Sequence, residues 1–579
     1  MLKTAYWSER VTIESAASAA LLIAALVVGL TTAGDYGATI DEFNTNDYGP
    51  KALAWYTSGF TDRSQFETVE FSLWYYGPWF QIITAAVQSL NLVAPLTVRH
   101  AMTFVVGLLG IATVYPIGRL SFGPWVGPSA LALCLLTGYL YGNLFFAPID
   151  IPFLATMCWA LLGIMVMARN VVPTWPATVC AGMAIGLAIA TRTGGIINHA
   201  YLIGTMALCA VEALVLAGSV ARETILQIAL RSCVAIMLAW IVAWALWPWL
   251  QIGNPITQFK IAYTHFATID TEFQFDDWGR RLSTTALPWS YIPDQWLARL
   301  PIGFLALLAL AVLLAILNSI RFARLASDQF HKQGISGVRR LPPRIARNRN
   351  ILLIWIATIL PVSFVMVQQA TLYDGIRHTL FVIPLLAVIA GWAAVTLWRS
   401  IGGLRAPAGV FAALYTAWLI ADLVILHPLE YIAMNAFVGG TAGAYGRFEL
   451  DYWSAAATEA LRHLENRLNQ SGAFAVAQPS ILVCIPNRGH MVEPLLGAKW
   501  RIEVDPEKAD FVIESERSRC AADHPALILV DEVTRYKRAF AWTYVNQRSR
   551  SFDLASSHRN WFTGRDEPGA VNIAKLPEQ

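Results

Sequence analysis

The chain has 579 residues, of which 56% are hydrophobic and only 14% are charged, and its mean hydropathy is +0.49. Soluble domains carry roughly 25% charged residues, so most of this chain must be solvated by lipid. A net charge of +3 is too small to indicate a nucleic-acid partner. These values exclude an ordinary soluble domain and predict a polytopic α-helical membrane protein.

About eleven stretches are apolar enough to cross a bilayer, which takes about 20 residues. They lie at residues 16–32, 101–120, 125–145, 151–168, 177–190, 199–217, 228–250, 300–320, 351–369, 380–397 and 410–426. The first follows a polar N-terminus that lacks a small-residue cleavage pattern, so we expect a retained helix rather than a removed signal peptide.

Basic residues set the expected orientation, because Lys and Arg are enriched in cytoplasmic loops. Residues 321–349 hold eight of them, which predicts a cytoplasmic segment. With eleven alternating spans the N-terminus is then cytoplasmic, and residues 34–99, 251–299 and the chain after His427 lie on the outer face. Glu212 is expected toward the cytoplasmic half.

Composition divides the chain into two predicted domains. Residues 1–429 form the membrane domain, in which residues 34–99 make a long outer loop with short interfacial helices. Residues 430–579 are richer in charge and read as a soluble α/β domain. Its expected elements are a helix at 455–468, strands at 480–485, 511–513 and 527–530, and a frayed tail after about residue 551.

Cysteine usage leaves one question open. Cys484 and Cys520 lie in the outer domain, where an oxidising compartment would permit a bridge, and both the bridged and the reduced states stay open. No Cys/His spacing resembles a zinc site and no Gly-rich phosphate loop is found. We predict no metal ligands, although paired outer carboxylates could hold a divalent ion.

The acidic pair Asp41-Glu42 is the first candidate site, placed at the start of the polar loop that follows the first span. Asp47 and Tyr48 follow a few residues later and are assigned to substrate binding. A carboxylate just outside the bilayer can do acid/base chemistry on a substrate anchored in lipid. The alternative interpretation is an ordinary solvated loop.

Three further clusters lie at predicted outer boundaries. Asp150 begins a span, where it can cap that helix, serve the site, or do both. Arg192 follows a span, and the stretch Tyr373-Asp374-Gly-Ile-Arg377-His378 precedes another. An arginine at a span end can merely snorkel, but two on the outer face run against the positive-inside bias, and a guanidinium suits phosphate.

Together these residues fit transfer of a sugar from a lipid-linked phosphate. The phosphate would rest on Arg192 or Arg377 with His378, and Asp150, Tyr373 and Asp374 would contact substrate. A single carboxylate would take the proton from the acceptor, and direct displacement would invert the anomeric carbon. Aromatic residues that could support the substrate are Trp55, Trp74, Tyr75, Tyr76 and Trp79, with Tyr76 assigned to substrate binding.

At these residues the sequence resembles the GT-C type membrane glycosyltransferases. The similarity is to bacterial relatives of dolichyl-phosphate-mannose protein mannosyltransferases and of aminoarabinose transferases acting on lipid A. The resembling stretches, scattered over residues 39–453, are TIDEFNTNDYG, YYGPWFQIITAA, FFAPIDIPFLATMCWAL, GLAIATRTGGI, YDGIRHTLFVIPLLAVIAGW and HPLEYIAMNAFVGGTAGAYGRFELDYW.

The resemblance implies that Asp41 is the general base, that Glu42 positions acceptor or sugar, and that the donor is a polyprenyl-phosphate sugar. It implies a bacterial inner (plasma) membrane location, with the C-terminal domain in the periplasm. One departure is the turn Tyr76-Gly77-Pro78, where the family commonly has a His-Pro-Pro-type turn. That difference puts the donor contacts of this turn in question.

Two other functions stay in competition. A transporter or flippase of a lipid-linked substrate would need charged groups deep within spans or related halves, and the ionisable groups here gather at the outer boundary. An assembly factor that recruits a partner through its outer domain would not need Asp41. The sequence leaves open the sugar and the acceptor, which could be a lipid, a glycan or a protein.

Overall fold

The computed structural model describes residues 12–217, 221–267, 272–333, 342–470, 478–484, 493–521 and 524–548. Contacts between residues divide the chain into two compact units, residues 1–450 and 451–579. The tail expected after residue 551 and part of the basic segment, residues 334–341, lie outside the described residues.

Residues 430–450 belong to the first unit, although their composition had placed them in the second. The reason is packing against the membrane helices. The side-chain amide of Asn435 donates hydrogen bonds of 2.7 and 2.6 Å to the carbonyls of Leu297 and Leu300. Tyr431 is fully buried beside the ring of Phe146.

The first unit is a multi-pass membrane protein with a helical fold. Nine helices of the described residues are long and apolar enough to cross a membrane, and a bent pair, Val126–Leu135 with Gly138–Phe146, makes a tenth candidate with a 70° break. The predicted span at 177–190 corresponds to Trp175–Ile189, which has only 15 residues. Thr193-Gly194-Gly195 follows this helix in a 3₁₀ turn, which explains its early end.

The α-helices of this unit are, in chain order, α1 (Ile13–Thr32), α2 (Ile40–Thr57), α3 (Ser64–Glu67), α4 (Trp79–Gln88), α5 (Pro95–Ala112), α6 (Val114–Phe122), α7 (Val126–Leu135), α8 (Gly138–Phe146), α9 (Asp150–Met167), α10 (Trp175–Ile189), α11 (Ile197–Ala217), α12 (Ala221–Leu246), α13 (Pro248–Gln251), α14 (Pro255–Ala267), α15 (Tyr291–Arg299), α16 (Ile302–Gln333), α17 (Pro342–Val367), α18 (Ile383–Ser400), α19 (Arg405–Leu426) and α20 (Gly440–Ala444). Its 3₁₀ helices are Glu70–Tyr75, Thr193–Ile196, Arg377–Val382, Gly402–Leu404, Glu430–Ile432 and Ala436–Val438. A hairpin of β1 (Gln274–Asp277) and β2 (Arg280–Ser283) lies between α14 and α15.

Burial separates central helices from peripheral ones. The apolar windows of α9 and of Arg377–Ser400 are mostly buried inside the protein, whereas those of α16 and α19 are mostly exposed. Exposed apolar side chains on a spanning helix face lipid, so α16 and α19 form the periphery. The central helices α9 and α18 begin at or just after Asp150 and Arg377.

A buried ion pair lies at the helix ends that adjoin the basic segment. Arg349 in α17 donates to Glu212 in α11 at 2.9 Å, and both side chains are nearly inaccessible. Arg349 also donates to the carbonyl of Ala168 at the end of α9. Glu212, which is expected toward the cytoplasmic half, is therefore paired with Arg349, the last arginine of the basic segment.

The second unit is a small α/β domain. Its helices are α21 (Ala456–Gln470) and α22 (Glu493–Leu496), followed by a 3₁₀ turn (Gly497–Lys499), and its strands are β3 (Ser480–Cys484), β4 (Arg501–Ile502), β5 (Phe511–Ser515), β6 (Leu527–Arg535) and β7 (Arg538–Asn546). The strand order is β4-β3-β5-β7-β6, with β3 parallel to its two neighbours and the other pairs antiparallel.

The predicted helix and three predicted strands match α21, β3, β5 and β6, whereas β4 and β7 were not anticipated. β7 was missed because its core, Ala539–Val545, has small and aromatic residues without a clear alternation of polar and apolar positions. Cys484 at the end of β3 and Cys520 form a disulfide, with Cα atoms 6.2 Å apart. The state that the sequence left open is thus the bridged one.

Candidate active site

Helix α2 places the acidic pair in a defined geometry instead of the loop that the sequence suggested. Thr39 is the N-cap, and its hydroxyl accepts a hydrogen bond from the backbone N–H of Glu42. The Glu42 carboxylate accepts in return from the backbone N–H of Thr39 at 3.1 Å. This capping box fixes the first turn of the helix, which contains Asp41.

Glu42 is committed to structure. Its side chain is fully buried, with one oxygen in the capping box and the other 2.9 Å from Nε2 of His100 in α5. Nδ1 of His100 lies 3.1 Å from the carbonyl of Ala33. Glu42 is thus positioned to hold α2 against α1 and α5, and it does not face solvent.

Asp41 points elsewhere and keeps 27% of its side chain exposed. Its carboxylate accepts a hydrogen bond from the guanidinium of Arg377, which begins the 3₁₀ helix before α18. Nε of Arg377 lies 3.3 Å from a carboxylate oxygen of Asp374. The arginine therefore bridges two carboxylates that are far apart in sequence, and one of them is open to a ligand.

A second ion pair forms between the clusters at Asp150 and Arg192. Nη1 of Arg192 lies 2.6 Å from the carboxylate of Asp150, which is almost entirely buried. The guanidinium also stands over the ring of Tyr76, 5.4 Å from its centroid. Asp150 is the first residue of α9, where a negative charge also suits the helix dipole, so both of its predicted roles are compatible with this position.

The two ion pairs belong to one electrostatic site. Asp150 lies within range of the charges of Arg377 and Asp41. Burial lowers the pKa of Arg192, but Asp150 and Tyr76 raise it more, so the net shift is upward. Burial raises the pKa of Tyr373 to about 12, which keeps this phenol protonated at neutral pH.

Tyr373 and His378 flank the Arg377 guanidinium. The guanidinium carbon lies 4.8 Å from the centroid of the Tyr373 ring, a cation–π distance. The His378 ring meets Tyr373 edge to face with centroids 4.8 Å apart, and its Nδ1 has no hydrogen-bond partner within the described structure. Both side chains are therefore available beside the arginine.

Two predicted substrate residues have other partners. Asp47 pairs with Lys51 one turn along α2 at 2.7 Å. Tyr48 is buried, and its hydroxyl donates to the backbone carbonyl of Tyr76 at 2.9 Å. Neither contact joins Arg192 or Arg377. Tyr48 is connected to the cluster through the backbone of Tyr76, and substrate binding by Asp47 and Tyr48 stays a prediction.

The turn Tyr76-Gly77-Pro78 packs against the end of α10. A Cβ added at Gly77 would lie 1.6 Å from the backbone carbonyl oxygen of Ala190, so only glycine fits there. Nε1 of Trp79 donates to the hydroxyl of Thr191 at 2.7 Å. These contacts fix the position of Tyr76 relative to Arg192.

Sequence reasoning missed two buried residues behind Asp41, Arg99 and His100. The Arg99 guanidinium is fully buried and donates to Asn46 at 2.6 Å, to Gln81 at 2.6 Å and to Thr45 at 3.1 Å. The signal that could have found them is the adjacent basic pair itself, Arg99-His100, at the start of an apolar span. Thr39-x-x-Glu42, which matches the capping-box pattern, was likewise present in the sequence.

Within the ranges that the structure describes, no group of three or more His, Cys, Asp or Glu side chains is arranged to hold a metal ion. Between Asp41 and Asp374, the two carboxylates that come together beside the exposed part of the site, the guanidinium of Arg377 serves as the shared cation.

No protein-family model matches the sequence, and no curated protein matches it. Among solved structures, ArnT from Cupriavidus metallidurans bound to undecaprenyl phosphate is 14% identical with a TM-score of 0.43, and the match covers 92% of this chain and 98% of that one. Its apo structure gives 14% identity, a TM-score of 0.45 and coverages of 91% and 97%.

AglB, the Archaeoglobus fulgidus oligosaccharyltransferase, in complex with an inhibitory peptide and a dolichol-phosphate, is 12% identical with a TM-score of 0.41. That match covers 86% of this chain and 69% of AglB. TM-scores below 0.5 leave the function to be argued from the residues of this chain.

Proposed function

We propose that this protein is an inverting glycosyltransferase that moves a sugar from a polyprenyl-phosphate donor to an acceptor hydroxyl. The acceptor belongs to a lipid, a glycan or a protein. The observation that carries the proposal is the partly exposed Asp41 carboxylate held against Arg377, within electrostatic range of the Asp150–Arg192 pair. This arrangement places a base beside two guanidinium groups, one at the start of a central helix and one just after α10.

Asp41 serves as the general base in this proposal. It takes the proton from the acceptor hydroxyl while that oxygen attacks the anomeric carbon of the sugar. The bond between the anomeric carbon and the phosphate oxygen breaks, and its electron pair leaves with polyprenyl phosphate. Attack opposite the leaving group inverts the anomeric carbon, and one carboxylate is enough because a phosphate needs no proton to leave.

Arg377 and Arg192 receive the phosphate. A guanidinium has planar, paired donors that match phosphate oxygens, and stabilising the charge that develops on the leaving group lowers the barrier. Before the donor binds, Asp374 and Asp150 hold these guanidinium groups in place at 3.3 and 2.6 Å. The site is therefore preorganised, and the donor phosphate replaces part of an existing set of contacts.

The polyprenyl chain suits the location of the site. Asp150 and Arg377 begin helices that are mostly buried in the bundle, and the surrounding helices expose apolar side chains over most of their length. A lipid tail can stay among those side chains while its phosphate reaches the arginines. We place the site on the outer face of the membrane because the end of α16 and the start of α17, at the opposite ends of their spans, are rich in Arg and Lys. A bacterial inner membrane is what the sequence resemblance implies.

The proposal is tested with purified protein in detergent and a panel of polyprenyl-phosphate sugars. Release of polyprenyl phosphate is followed by mass spectrometry, and the anomeric configuration of the product by NMR. We expect release with at least one donor and an inverted product. Movement of intact donor across proteoliposomes without any release would instead identify a flippase, and a product of retained configuration would overturn the single-displacement mechanism.

A further inference from the structure

The turn before Arg377 is held by two buried tyrosines, whose side-chain hydroxyls donate hydrogen bonds to its backbone carbonyls. Asp374 and Gly375 both have positive φ angles, 59° and 70°, a conformation that needs support at a non-glycine residue. The hydroxyl of Tyr139 in α8 donates to the carbonyl of Asp374 at 2.9 Å. The hydroxyl of Tyr291 in α15 donates to the carbonyl of Gly375 at 3.2 Å.

Arg299, the last residue of α15, packs directly against this turn. A Cβ added at Gly375 would lie 2.9 Å from Nε of Arg299 and 3.0 Å from the hydroxyl oxygen of Tyr139. The Arg299 guanidinium carbon stands 4.6 Å from the centroid of the Tyr139 ring. Arg299 thus contacts both the turn and one of the tyrosines that hold it.

A chain of side-chain hydrogen bonds orients Arg299. Its Nε donates to Gln295 at 2.7 Å, and the amide of Gln295 donates to Asp277 in the β1–β2 hairpin at 2.5 Å. Nη2 of Arg299 donates to the carbonyl of Glu449 at 3.3 Å. Two other segments of the first unit, around the hairpin and Glu449, are therefore tied to the turn through one guanidinium.

The guanidinium of Arg299 is a buried positive charge. The side chain is only 3% exposed. The Asp277 carboxylate lies within range of its charge, but Gln295 stands between them, and Arg299 forms no direct ion pair within the described residues. A buried guanidinium that lacks a directly paired carboxylate is costly. Its planar, rigid shape and several donors, however, suit it to fixing neighbouring groups.

We propose that Arg299 is a positioning residue for the donor site. It clamps the Asp374–Gly375 turn, and this turn sets the direction in which Arg377 presents its guanidinium to Asp41 and to the donor phosphate. The inference rests on the proposed function, in which Arg377 binds that phosphate. Loss of Arg299 loosens Arg377 without removing any group that touches the substrate.

The experiment is a double-variant cycle on phosphate-lipid binding by the full-length protein in detergent. Undecaprenyl phosphate is the probe, and its Kd is measured for the wild type, Arg299→Gln, Arg377→Gln and the double variant. Arg281→Gln is the matched control, because Arg281 lies in the same outer segment but is exposed and pairs with Asp276 on the surface. Thermal unfolding is recorded for every variant.

We expect Arg299→Gln to weaken binding by on the order of tenfold, a smaller effect than the roughly hundredfold loss of rate that a 1 Å misplacement of a catalytic group can cause. In the Arg377→Gln background it should add no further loss, because Arg299 acts through Arg377. Arg281→Gln should bind like the wild type. A merely structural role would lower thermal stability but would not make the binding effect depend on Arg377.

Additive losses in the double variant, or binding by Arg299→Gln equal to that of the control, would overturn the inference while leaving the donor site intact. Wild-type binding by Arg377→Gln would instead overturn the donor site of the proposed function, and the inference with it. Where Arg299→Gln fails to fold, Tyr291→Phe removes only the hydrogen bond to Gly375. It should weaken binding in the same direction by a smaller factor, and unchanged binding would contradict the clamp.

Discussion

The close packing of Gly77 against the backbone of Ala190 predicts that Gly77→Ala, which adds a single methyl group, has a large effect on stability and activity. In Gly77→Ala the new Cβ would lie 1.6 Å from the carbonyl oxygen of Ala190 and 2.2 Å from its carbonyl carbon. An ordinary contact between such atoms is about 3.5 Å, so one backbone segment must retreat by roughly 2 Å. Neither can yield as a flexible side chain would, because both are main chain.

Two consequences follow from that displacement. Overpacking of this kind destabilises by about 1–3 kcal/mol or more. The turn carries Tyr76 and the end of α10 leads into Arg192, so the geometry around the phosphate site changes as well. A 1 Å misplacement at a catalytic group lowers a rate by on the order of a hundredfold, and we expect a loss of transfer of at least that size.

The assay combines thermal unfolding in detergent with the rate of polyprenyl phosphate release. Gly204→Ala is the matched control, because a Cβ there meets no atom within 4 Å and alanine is favoured over glycine within a helix. The control should unfold at or above the wild-type temperature and keep its rate. A Gly77→Ala protein that unfolds and turns over like the control would refute the packing of the turn against α10.

Three further predictions concern stability. Replacing Cys484 and Cys520 by Ser releases a loop closed across 36 positions and should lower the unfolding free energy of the C-terminal unit by about 4 kcal/mol. Equal denaturation midpoints for the protein with and without the disulfide would contradict this. Glu212→Leu or Arg349→Leu leaves a buried charge unpaired and should lower the free energy of unfolding by about 3–5 kcal/mol, with a smaller loss in the double variant. Thermal unfolding of all three variants tests this, and strictly additive losses would show that the pair is not coupled. Burial lowers the pKa of His427, but hydrogen bonds to Glu430 and Asp35 and the charges of these carboxylates raise it more, so the pKa lies above the ordinary histidine value of 6.5. His427→Gln should therefore be less stable than the wild type below pH 6.5, and the difference should fade as the pH rises through the folded-state pKa; a pH-independent difference in melting temperature would rule this out.

The membrane architecture could be predicted from the sequence because it depends on a local property. A run of about 20 apolar residues crosses a bilayer wherever it occurs, so the helices were found without knowledge of their neighbours. The exceptions are local too: the break between α7 and α8 and the 15-residue α10 depend on turns that a hydropathy reading averages out.

The pairing of the site residues could not be predicted in the same way. Asp41, Asp150, Arg192 and Arg377 were each identified at a helix boundary, but contacts between them cross 42 and 336 positions of sequence. Which carboxylate meets which guanidinium depends on how the helices pack. Periodicity within a single helix carries no information about that packing.

The roles within the acidic pair were separable only in part. Only the resemblance distinguishes the two carboxylates, with Asp41 as base and Glu42 as a positioning group. Thr39-x-x-Glu42 is, however, a capping-box pattern and could have assigned Glu42 to the helix terminus. The partner of its second oxygen, His100, is supplied by α5 and was beyond the reach of sequence. The geometry now leaves Asp41 as the member of the pair that can reach a ligand.

The central claim is that Asp41 removes the acceptor proton, and single-turnover transfer by Asp41→Asn tests it most directly. Asparagine keeps the size of the side chain but cannot accept the proton, so the rate should fall by about 10²–10⁴-fold while undecaprenyl phosphate still binds. Asp276→Asn, at an exposed ion pair of the β1–β2 hairpin, should keep the wild-type rate. Transfer by Asp41→Asn at the rate of that control would contradict the account and make Asp150 the next candidate for the base.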